Sequence, residues 1–395
     1  MRTLIALFLT ATVSACASIP APQDELDALT RRDGAEAIAG VALVVRIDGE
    51  TVFEGAAGTA EFAADGITPL RPITTRSPVR AASVSKLVTA LAAGDLAENQ
   101  WFVLSADLHV WFDSALDHPL APEARITPAM LLSHTSGIRD PEVYWMAHPG
   151  RIETLLDQPH WADHAPGEGW EYANIGYGLL ATAMEAAVLE RFDVIARTRV
   201  LEPLGLAHTG FNWSGVPADI RRNGATLYVR ENSVWIEQVD GRAMLEGDAP
   251  TILMEDGASL DSYVPGQNGT LFSPQGGWRA SAHDMAVLAE AFGPEGMGHG
   301  LTRPIWRAPG EAWGLGPRLV QPGEANGWPG GLIGHAGEAY GLISGSWVTP
   351  DGRVSIGYVV NGTDAAFERE ADPETGFNAL EQALLDIASR AAGLR

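Results

Sequence analysis

The 395-residue sequence predicts an α+β fold, in which an antiparallel β-sheet is flanked by helices. Strand-like segments occur near the start of the chain and again in its last quarter. Segments with a helical period fill the middle, and an amphipathic helix closes the chain. This order indicates a sheet built from both chain ends, about residues 35–82 and 280–395, with an all-α region inserted between them at about 83–279.

The first part of the chain predicts a helix, a hairpin and a second helix. A helix is expected over residues 25–38, with Gly34 as its weak point. Residues 41–47 and 51–55 flank Asp48-Gly49, a pair typical of a tight β-turn. The next helix begins at Ser83, beyond a proline-containing loop over residues 64–80.

The remaining elements follow from periodicity and capping residues. Thr127 and Pro128 predict a helix start, and residues 213–270 are irregular enough to form an insertion or a lid. Further helices are expected at 177–192, 194–201, 282–292 and 379–392, and strands at 314–321, 331–335, 341–348 and 354–360.

Composition restricts the classes of partner. A hydrophobic content of 46% and a charged content of 19% are typical of a globular chain with a sizeable core. The formal net charge of −24 disfavours nucleic acid and anionic lipid surfaces as partners. No cofactor is indicated.

The first residues predict a targeting segment. Arg2 precedes an apolar run over residues 4–13 that is too short to span a bilayer. Residues 13–16 resemble the lipobox of bacterial lipoproteins, with Cys16 as the lipidated residue. We therefore expect a signal peptide over 1–15, a tether that runs into the first helix over 16–34, and a membrane anchor at Cys16. Ala17 after the cysteine implies the periplasmic side of the outer membrane of a Gram-negative bacterium; the alternative is an ordinary secretory signal cut near Ala17.

Lys86 is the only lysine in the sequence, and it lies three residues after Ser83. Residues i and i+3 share one helix face, so the Ser83 hydroxyl and the Lys86 amine can meet. Arginine always carries its proton, whereas a buried lysine can lose it, so a proton-accepting cation has to be Lys. The pair therefore has the Ser-x-x-Lys arrangement of an activated serine nucleophile. At the helix start, Ser83 would also lie beside free backbone N–H groups.

Two further stretches contain candidate site residues. Tyr172 and Asn174 are two residues apart, so in an extended loop both side chains can face the same side. A phenol beside a buried ammonium is expected to have a lowered pKa and to shuttle protons to and from Ser83. Residues 334–338 lie on a predicted strand, where the small side chain of Gly337 would allow a substrate to lie along the strand edge.

These three stretches together resemble the serine β-lactamase and penicillin-binding-protein superfamily. The resemblance is strongest to the branch of class C β-lactamases, D-alanyl-D-alanine carboxypeptidases and class VIII esterases. It runs from about residue 35 to the C-terminus and includes residues 131–138 and 202–206. It implies a β-lactamase/transpeptidase-like fold and a single hydrolase domain over residues 35–395.

The resemblance also implies a role for each site residue. Ser83 would be the acylated nucleophile, with Lys86 and Tyr172 jointly its base and proton relay. Asn174 would orient the substrate amide or ester, and His335 would take the place of a motif lysine. The backbone N–H groups of Ser83 and Glu338 would form the oxyanion hole.

Two residues depart from the family pattern. His335 is not a permanent cation, which weakens the case for a β-lactamase more than the case for a peptidase. Glu338 is larger and more acidic than usual, and we expect it to repel an anionic substrate. Both departures favour neutral esters.

The sequence therefore predicts a serine hydrolase that forms an acyl-enzyme and acts on carboxylic esters or small amides. Alternatives are a D-alanyl-D-alanine carboxypeptidase or β-lactamase acting on cell-wall peptides or β-lactams, and a catalytically silent penicillin-binding sensor. His134 is interpreted as loop support, not as a triad histidine, because Lys86 and Tyr172 already supply a base. His160 and His164 are four residues apart, but the neighbouring prolines favour a loop, and no metal site is expected.

Overall fold

A computed structural model describes residues 20–112, 116–157, 160–242, 245, 259–308, 311–323, 325, 327–372 and 375–394. The expected signal peptide, Cys16 and the first part of the tether lie outside these ranges. So does much of the irregular insertion. No described helix is both long enough and apolar enough to cross a membrane.

The described chain alternates between short strands and helices. The helices are α1 Pro22–Leu29, α2 Ser85–Glu98, α3 Pro128–Leu132, α4 Asn174–Val188, α5 Phe192–Ala196, α6 Ala218–Arg221, α7 Ala282–Glu290 and α8 Ala379–Ala391. The strands are β1 Gly40–Ile47, β2 Glu50–Phe62, β3 Pro69–Pro72, β4 Val79–Arg80, β5 Tyr228–Glu231, β6 Val234–Glu237, β7 Arg279–Ala280, β8 Trp306–Ala308, β9 Glu311–Trp313, β10 Arg318–Val320, β11 Leu332–Ala339, β12 Leu342–Val348, β13 Val354–Val360 and β14 Gly362–Asp364.

One nine-stranded sheet organises the molecule, in the order β3-β2-β1-β13-β12-β11-β10-β9-β8. All of its pairings are antiparallel, and β1 from the start of the chain pairs with β13 from the end, with Val41 opposite Val360. The predicted α+β class, with an antiparallel sheet flanked by helices, is confirmed.

Both faces of the sheet are covered, which explains why β1 is apolar on both of its faces from Val41 to Val45. Side chains on a strand alternate between the two faces. In β1, Ala42 and Val44 enter the larger core beneath the helices. Val41, Leu43 and Val45 enter a second core formed with α1 and α8. α2 lies within the larger core, and its residues from Ser85 to Gly94 are all buried.

The prediction that the inserted region is all-α was wrong. β5 and β6 lie within it and form a three-stranded sheet with β14, which pairs with β5 in parallel. Val234, Trp235 and Ile236 alternate too weakly over four residues to be separated from loop by sequence alone. β4 and β7 form a second small ladder beside the start of α2.

Several element bounds also differ from the predicted ones. The first helix ends at Leu29, not at 38, and Gly34 adopts a positive φ of 62° in the following turn. The strand predicted at 331–335 extends to Ala339. The helix start at Pro128 is as expected, with the Thr127 side chain accepting a hydrogen bond from the Met130 N–H.

Candidate active site

Ser83 lies in a tight turn between β4 and α2. The turn is a 3-10 segment, Ala82–Val84, and α2 itself begins two residues after Ser83. Ala82 has a positive φ of 48°, a conformation that costs energy for a residue with a side chain. Ser83 is partly exposed and lines a cleft of about 170 Å³, so a substrate can reach its hydroxyl.

Lys86 is completely buried, and its amine points at Ser83. Nζ lies 3.3 Å from the Ser83 Oγ, 2.7 Å from the Asn174 Oδ1 and 3.2 Å from the Gln275 carbonyl oxygen. Burial lowers the pKa of Lys86 to about 7, because the charged form loses its hydration, and the Asp140 carboxylate partly opposes this change. A neutral amine has two N–H donors, which fit Asn174 and Gln275. Its lone pair is then free to accept the Ser83 proton.

Asn174 is held in place by Asp140. The Asn174 Nδ2 donates to one carboxylate oxygen of Asp140 at 2.8 Å, and the Ile175 N–H donates to the other at 2.8 Å. Asn174 is the first residue of α4, so the carboxylate lies at the N-terminus of that helix, where its negative charge is favourable. Asp140 was missed at the sequence level, because it is 34 residues from Asn174 and belongs to no motif that we considered.

Tyr172 lies over the same amine. Lys86 Nζ is 4.7 Å from the centre of the Tyr172 ring, and the Tyr172 hydroxyl lies near enough to the Ser83 side chain to interact with it. The expected lowering of the Tyr172 pKa was wrong: burial raises this pKa well above its usual value. The expectation assumed a permanently charged neighbour, but Lys86 is itself easily deprotonated. At neutral pH, Tyr172 is therefore a proton donor, and Lys86 is the stronger candidate for the base.

The His134 ring packs against the Tyr172 ring. The two rings stack with centroids 4.4 Å apart, and the Ala173 N–H donates to the His134 Nδ1 at 3.2 Å. This position agrees with the interpretation of His134 as loop support. Trp313 contacts the rings of His134, Tyr172 and His335, with centroids 5.4 to 6.2 Å apart. Nothing in the sequence distinguishes Trp313 from the other eleven tryptophans.

His335 is a neutral group at this site. It is buried on β11, and its Nδ1 contacts the Ala336 carbonyl oxygen. Burial lowers the pKa of His335 to about 3, and the nearby charge of Lys86 acts in the same direction. The residue in the place of the motif lysine therefore supplies no positive charge at neutral pH.

β11 runs directly beside the Ser83 turn. A Cβ atom on Gly337 would lie 2.6 Å from the Ala81 carbonyl oxygen and 3.2 Å from the Ser83 nitrogen, so only glycine permits this approach. The strand thus brings the backbone of residues 337 and 338 next to the Ser83 amide. The Glu338 carboxylate forms an ion pair with Arg369 at 2.9 Å, which reduces the repulsion of anions expected from Glu338.

A second cavity of about 460 Å³ adjoins the Ser83 cleft. The two cavities share Arg80, Tyr144, Ser273, Gln275 and Tyr340 as lining residues. The larger cavity is mainly apolar, and the irregular region over residues 213–270 supplies part of its wall, including Gln238 and Val239. Its volume is in the range of small-molecule sites.

The predicted site residues therefore meet at one place. Ser83, Lys86, Tyr172 and Asn174 are in contact, and β11 brings His335, Gly337 and Glu338 alongside them. Cys16 lies outside the described residues. Within the described ranges, no group of three or more His, Cys, Asp or Glu side chains has an arrangement that could hold a metal ion.

A serine three residues before a buried lysine, beside a strand of an antiparallel sheet, is an arrangement typical of serine hydrolases. A sequence profile of the Beta-lactamase family matches residues 26–381. The chain belongs to the Beta-lactamase family.

One curated protein is similar to the chain in sequence, and several solved structures are similar to it in fold. Penicillin-binding protein 4* of Bacillus subtilis (strain 168) is 29% identical over 170 residues, which cover 41% of this chain and 35% of that protein. The penicillin-binding protein homologue of Pyrococcus abyssi, described as octameric, superimposes with a TM-score of 0.65 at 19% identity, over 89% of this chain and 73% of its own. The D-amino acid amidase of Ochrobactrum anthropi SV3 superimposes with a TM-score of 0.62 at 19% identity, over 94% of this chain and 97% of the amidase.

Proposed function

We propose that this serine hydrolase forms an acyl-enzyme on Ser83 and hydrolyses carboxylic esters or small amides. The observation that carries the proposal is the buried Lys86, whose pKa of about 7 makes it a base at neutral pH, 3.3 Å from the Ser83 Oγ. A serine hydroxyl needs such a base to become a nucleophile.

Each residue of the site has a defined role in the acylation step. The Ser83 Oγ attacks the substrate carbonyl carbon, and its proton moves to the Lys86 Nζ. The carbonyl oxygen becomes an oxyanion, which the backbone N–H groups of Ser83 and Glu338 stabilise. As the intermediate collapses, the leaving alkoxide or amine takes a proton from the Tyr172 hydroxyl, which is replenished from Lys86. Water then releases the acid by the reverse sequence.

Several features support esters and small amides over cell-wall peptides. His335 is neutral at physiological pH, so β11 offers no fixed cation of the kind the family pattern has there. The adjoining apolar cavity suits a compact hydrophobic group. The D-amino acid amidase among the structural neighbours makes a small amide reasonable, and the penicillin-binding relative keeps the peptidase or β-lactamase alternative open.

The location is also part of the proposal. We infer from the segment that ends at Cys16 that the enzyme is anchored by a lipid and faces the periplasm, at the outer membrane of a Gram-negative bacterium. Metabolic labelling with an alkyne fatty acid, compared between the wild type and Cys16→Ser, tests this anchor. Equal labelling of both would contradict it.

A substrate panel tests the reaction. We expect p-nitrophenyl butyrate or D-phenylalanine amide to be turned over, with nitrocefin and a D-alanyl-D-alanine peptide much slower. Ser83→Ala is the matched control and should hydrolyse none of the four. Preferential turnover of nitrocefin or the peptide would support the alternative. A stable acyl-enzyme with β-lactams and no turnover of any compound would support the sensor.

A further inference from the structure

The Ser83 cleft contains one cation that no part of the proposed chemistry uses. Of the described residues that line the cleft, Arg80 alone has a cationic side chain, and it also lines the larger apolar cavity. It lies three residues before Ser83, at the end of β4. A positive charge therefore marks the boundary between the nucleophile and the cavity.

The Arg80 guanidinium is held on two of its sides. Its Nε donates to the Gly276 carbonyl oxygen at 3.2 Å, and its Nη2 donates to the Ser273 Oγ at 3.1 Å. Its carbon lies 5.4 Å from the centre of the Tyr340 ring. Across the described part of the chain, Nη1 makes no hydrogen bond. The guanidinium is therefore held in place, and its Nη1 keeps N–H donors that are not used within the protein. A guanidinium in this state can bind a carboxylate.

The chain is rich in carboxylates that could have paired with Arg80. It has 50 acidic and 26 basic residues, and the neighbouring Arg279 is paired with Asp240 at 2.6 Å. No acidic side chain among the described residues forms an ion pair with Arg80. Of the carboxylates near the cleft, Glu338 is paired with Arg369, and Asp140 is bonded to Asn174 and Ile175.

Tyr340 adds an independent observation. It occupies the β11–β12 turn with a positive φ of 57°, followed by Gly341 at 80°. Asn, Asp or Gly are the usual residues at such a position, and a bulky side chain there costs energy. The ring nevertheless lines both cavities and stacks on Arg80. A strained aromatic residue that orients a guanidinium is more typical of a binding site than of a turn.

We propose that Arg80 is the specificity-determining cation of the site and binds a carboxylate of the substrate. This rests on the proposed function and narrows its substrates to esters or amides that bear an acid group on a short acyl chain. The acid pairs with Nη1, in place of the charge that neutral His335 does not supply. The expectation from β11 alone, that neutral esters are preferred, is thereby replaced by a preference for anionic ones.

A matched pair of esters tests this preference. Mono-p-nitrophenyl glutarate and p-nitrophenyl pentanoate have acyl chains of equal length, with and without a terminal carboxylate. Spontaneous hydrolysis is subtracted with Ser83→Ala protein. We expect the wild type to prefer the glutarate ester by about tenfold or more in kcat/KM, the range for a charge-assisted hydrogen bond.

Two variants separate recognition from loop support. Arg80→Gln keeps a donor for the Gly276 carbonyl and should lose about tenfold on the glutarate ester while changing less than about threefold on the pentanoate ester. Arg76→Gln, at an exposed position nearby, removes the same charge and should change neither. A loss by Arg80→Gln that is equal on both esters, or a wild-type preference for the neutral ester, would overturn the proposal.

Binding without turnover keeps the two proposals separate. Calorimetry on Ser83→Ala protein should detect glutaramate more tightly than pentanamide, and Arg80→Gln should remove the difference. If glutaramate binds in this way but no ester is hydrolysed, the recognition by Arg80 stands and the proposed reaction falls. If both esters are hydrolysed equally well and glutaramate binds no better than pentanamide, the reaction stands and the role of Arg80 falls.

Discussion

The protonation state of Lys86 should set the rate at which Ser83 reacts. With a pKa of about 7, the neutral fraction of this amine is roughly 1% at pH 5, 9% at pH 6 and 90% at pH 8. An ordinary lysine would be only about 0.04% neutral at pH 7. If Lys86 must accept the Ser83 proton, the acylation rate should therefore rise about 90-fold between pH 5 and pH 8.

The measurement is the second-order rate constant for labelling by a fluorophosphonate, followed by intact mass across this pH range. The wild type should show a tenfold rise per pH unit below 7 and a plateau above it. Lys86→Arg keeps the charge but cannot lose its proton. Its labelling rate should therefore be lower by about a thousandfold and should not rise between pH 5 and pH 7. A pH-independent wild-type rate, or a Lys86→Arg rate within tenfold of the wild type at pH 8, would show that Lys86 is not the base.

Three further substitutions test other parts of the site. Relative to Lys86→Met, the wild type should gain about 2 kcal/mol in unfolding free energy from pH 7 to pH 9. The pKa of Lys86 is lower in the folded chain than in the unfolded chain, so the unfolded chain binds more protons in this pH range and stability rises with pH. Gly337→Ala should lower kcat at least about tenfold and stability by about 1–3 kcal/mol, since its Cβ would press on Ala81. Asp140→Asn should move the acidic limb below pH 7, because the charge that raises the Lys86 pKa is lost, and lower kcat/KM roughly tenfold by loosening Asn174.

Guanidinium denaturation, kinetics and pH profiles check these expectations. Parallel pH dependence of stability in Lys86→Met and the wild type would mean that Lys86 is not titrating near 7. Wild-type turnover by Gly337→Ala would show that β11 can move away without harm to the oxyanion hole. An unchanged acidic limb in the pH–rate profile of Asp140→Asn would show that the Asp140 charge does not raise the pKa of Lys86. Asp48→Asn, on an exposed turn, is a control for charge removal.

Local patterns were sufficient for the parts of this protein that depend on neighbours in sequence. The Ser83–Lys86 spacing, the Asp48-Gly49 turn and the Thr127 cap all reflect rules that act within four residues. The antiparallel sheet from both chain ends followed from element order. The Tyr172-x-Asn174 pair was placed correctly beside Lys86, although Asn174 begins a helix rather than continuing a loop.

Properties that depend on burial could not be predicted in this way. The pKa of Tyr172 rises because residues distant in sequence, among them His134 and Trp313, enclose it. The neutrality of His335 has the same origin. Arg80 was overlooked because its significance depends on a carboxylate being absent, and only the folded chain shows which acids are near it.

The most direct test of the central claim is the mass of the protein after reaction with a fluorophosphonate at pH 8. We expect the wild type to gain one phosphonyl group on the peptide that contains Ser83, and Ser83→Ala to gain none. Equal labelling of Ser83→Ala, or no labelling of a folded wild type, would contradict the claim that Ser83 is the nucleophile.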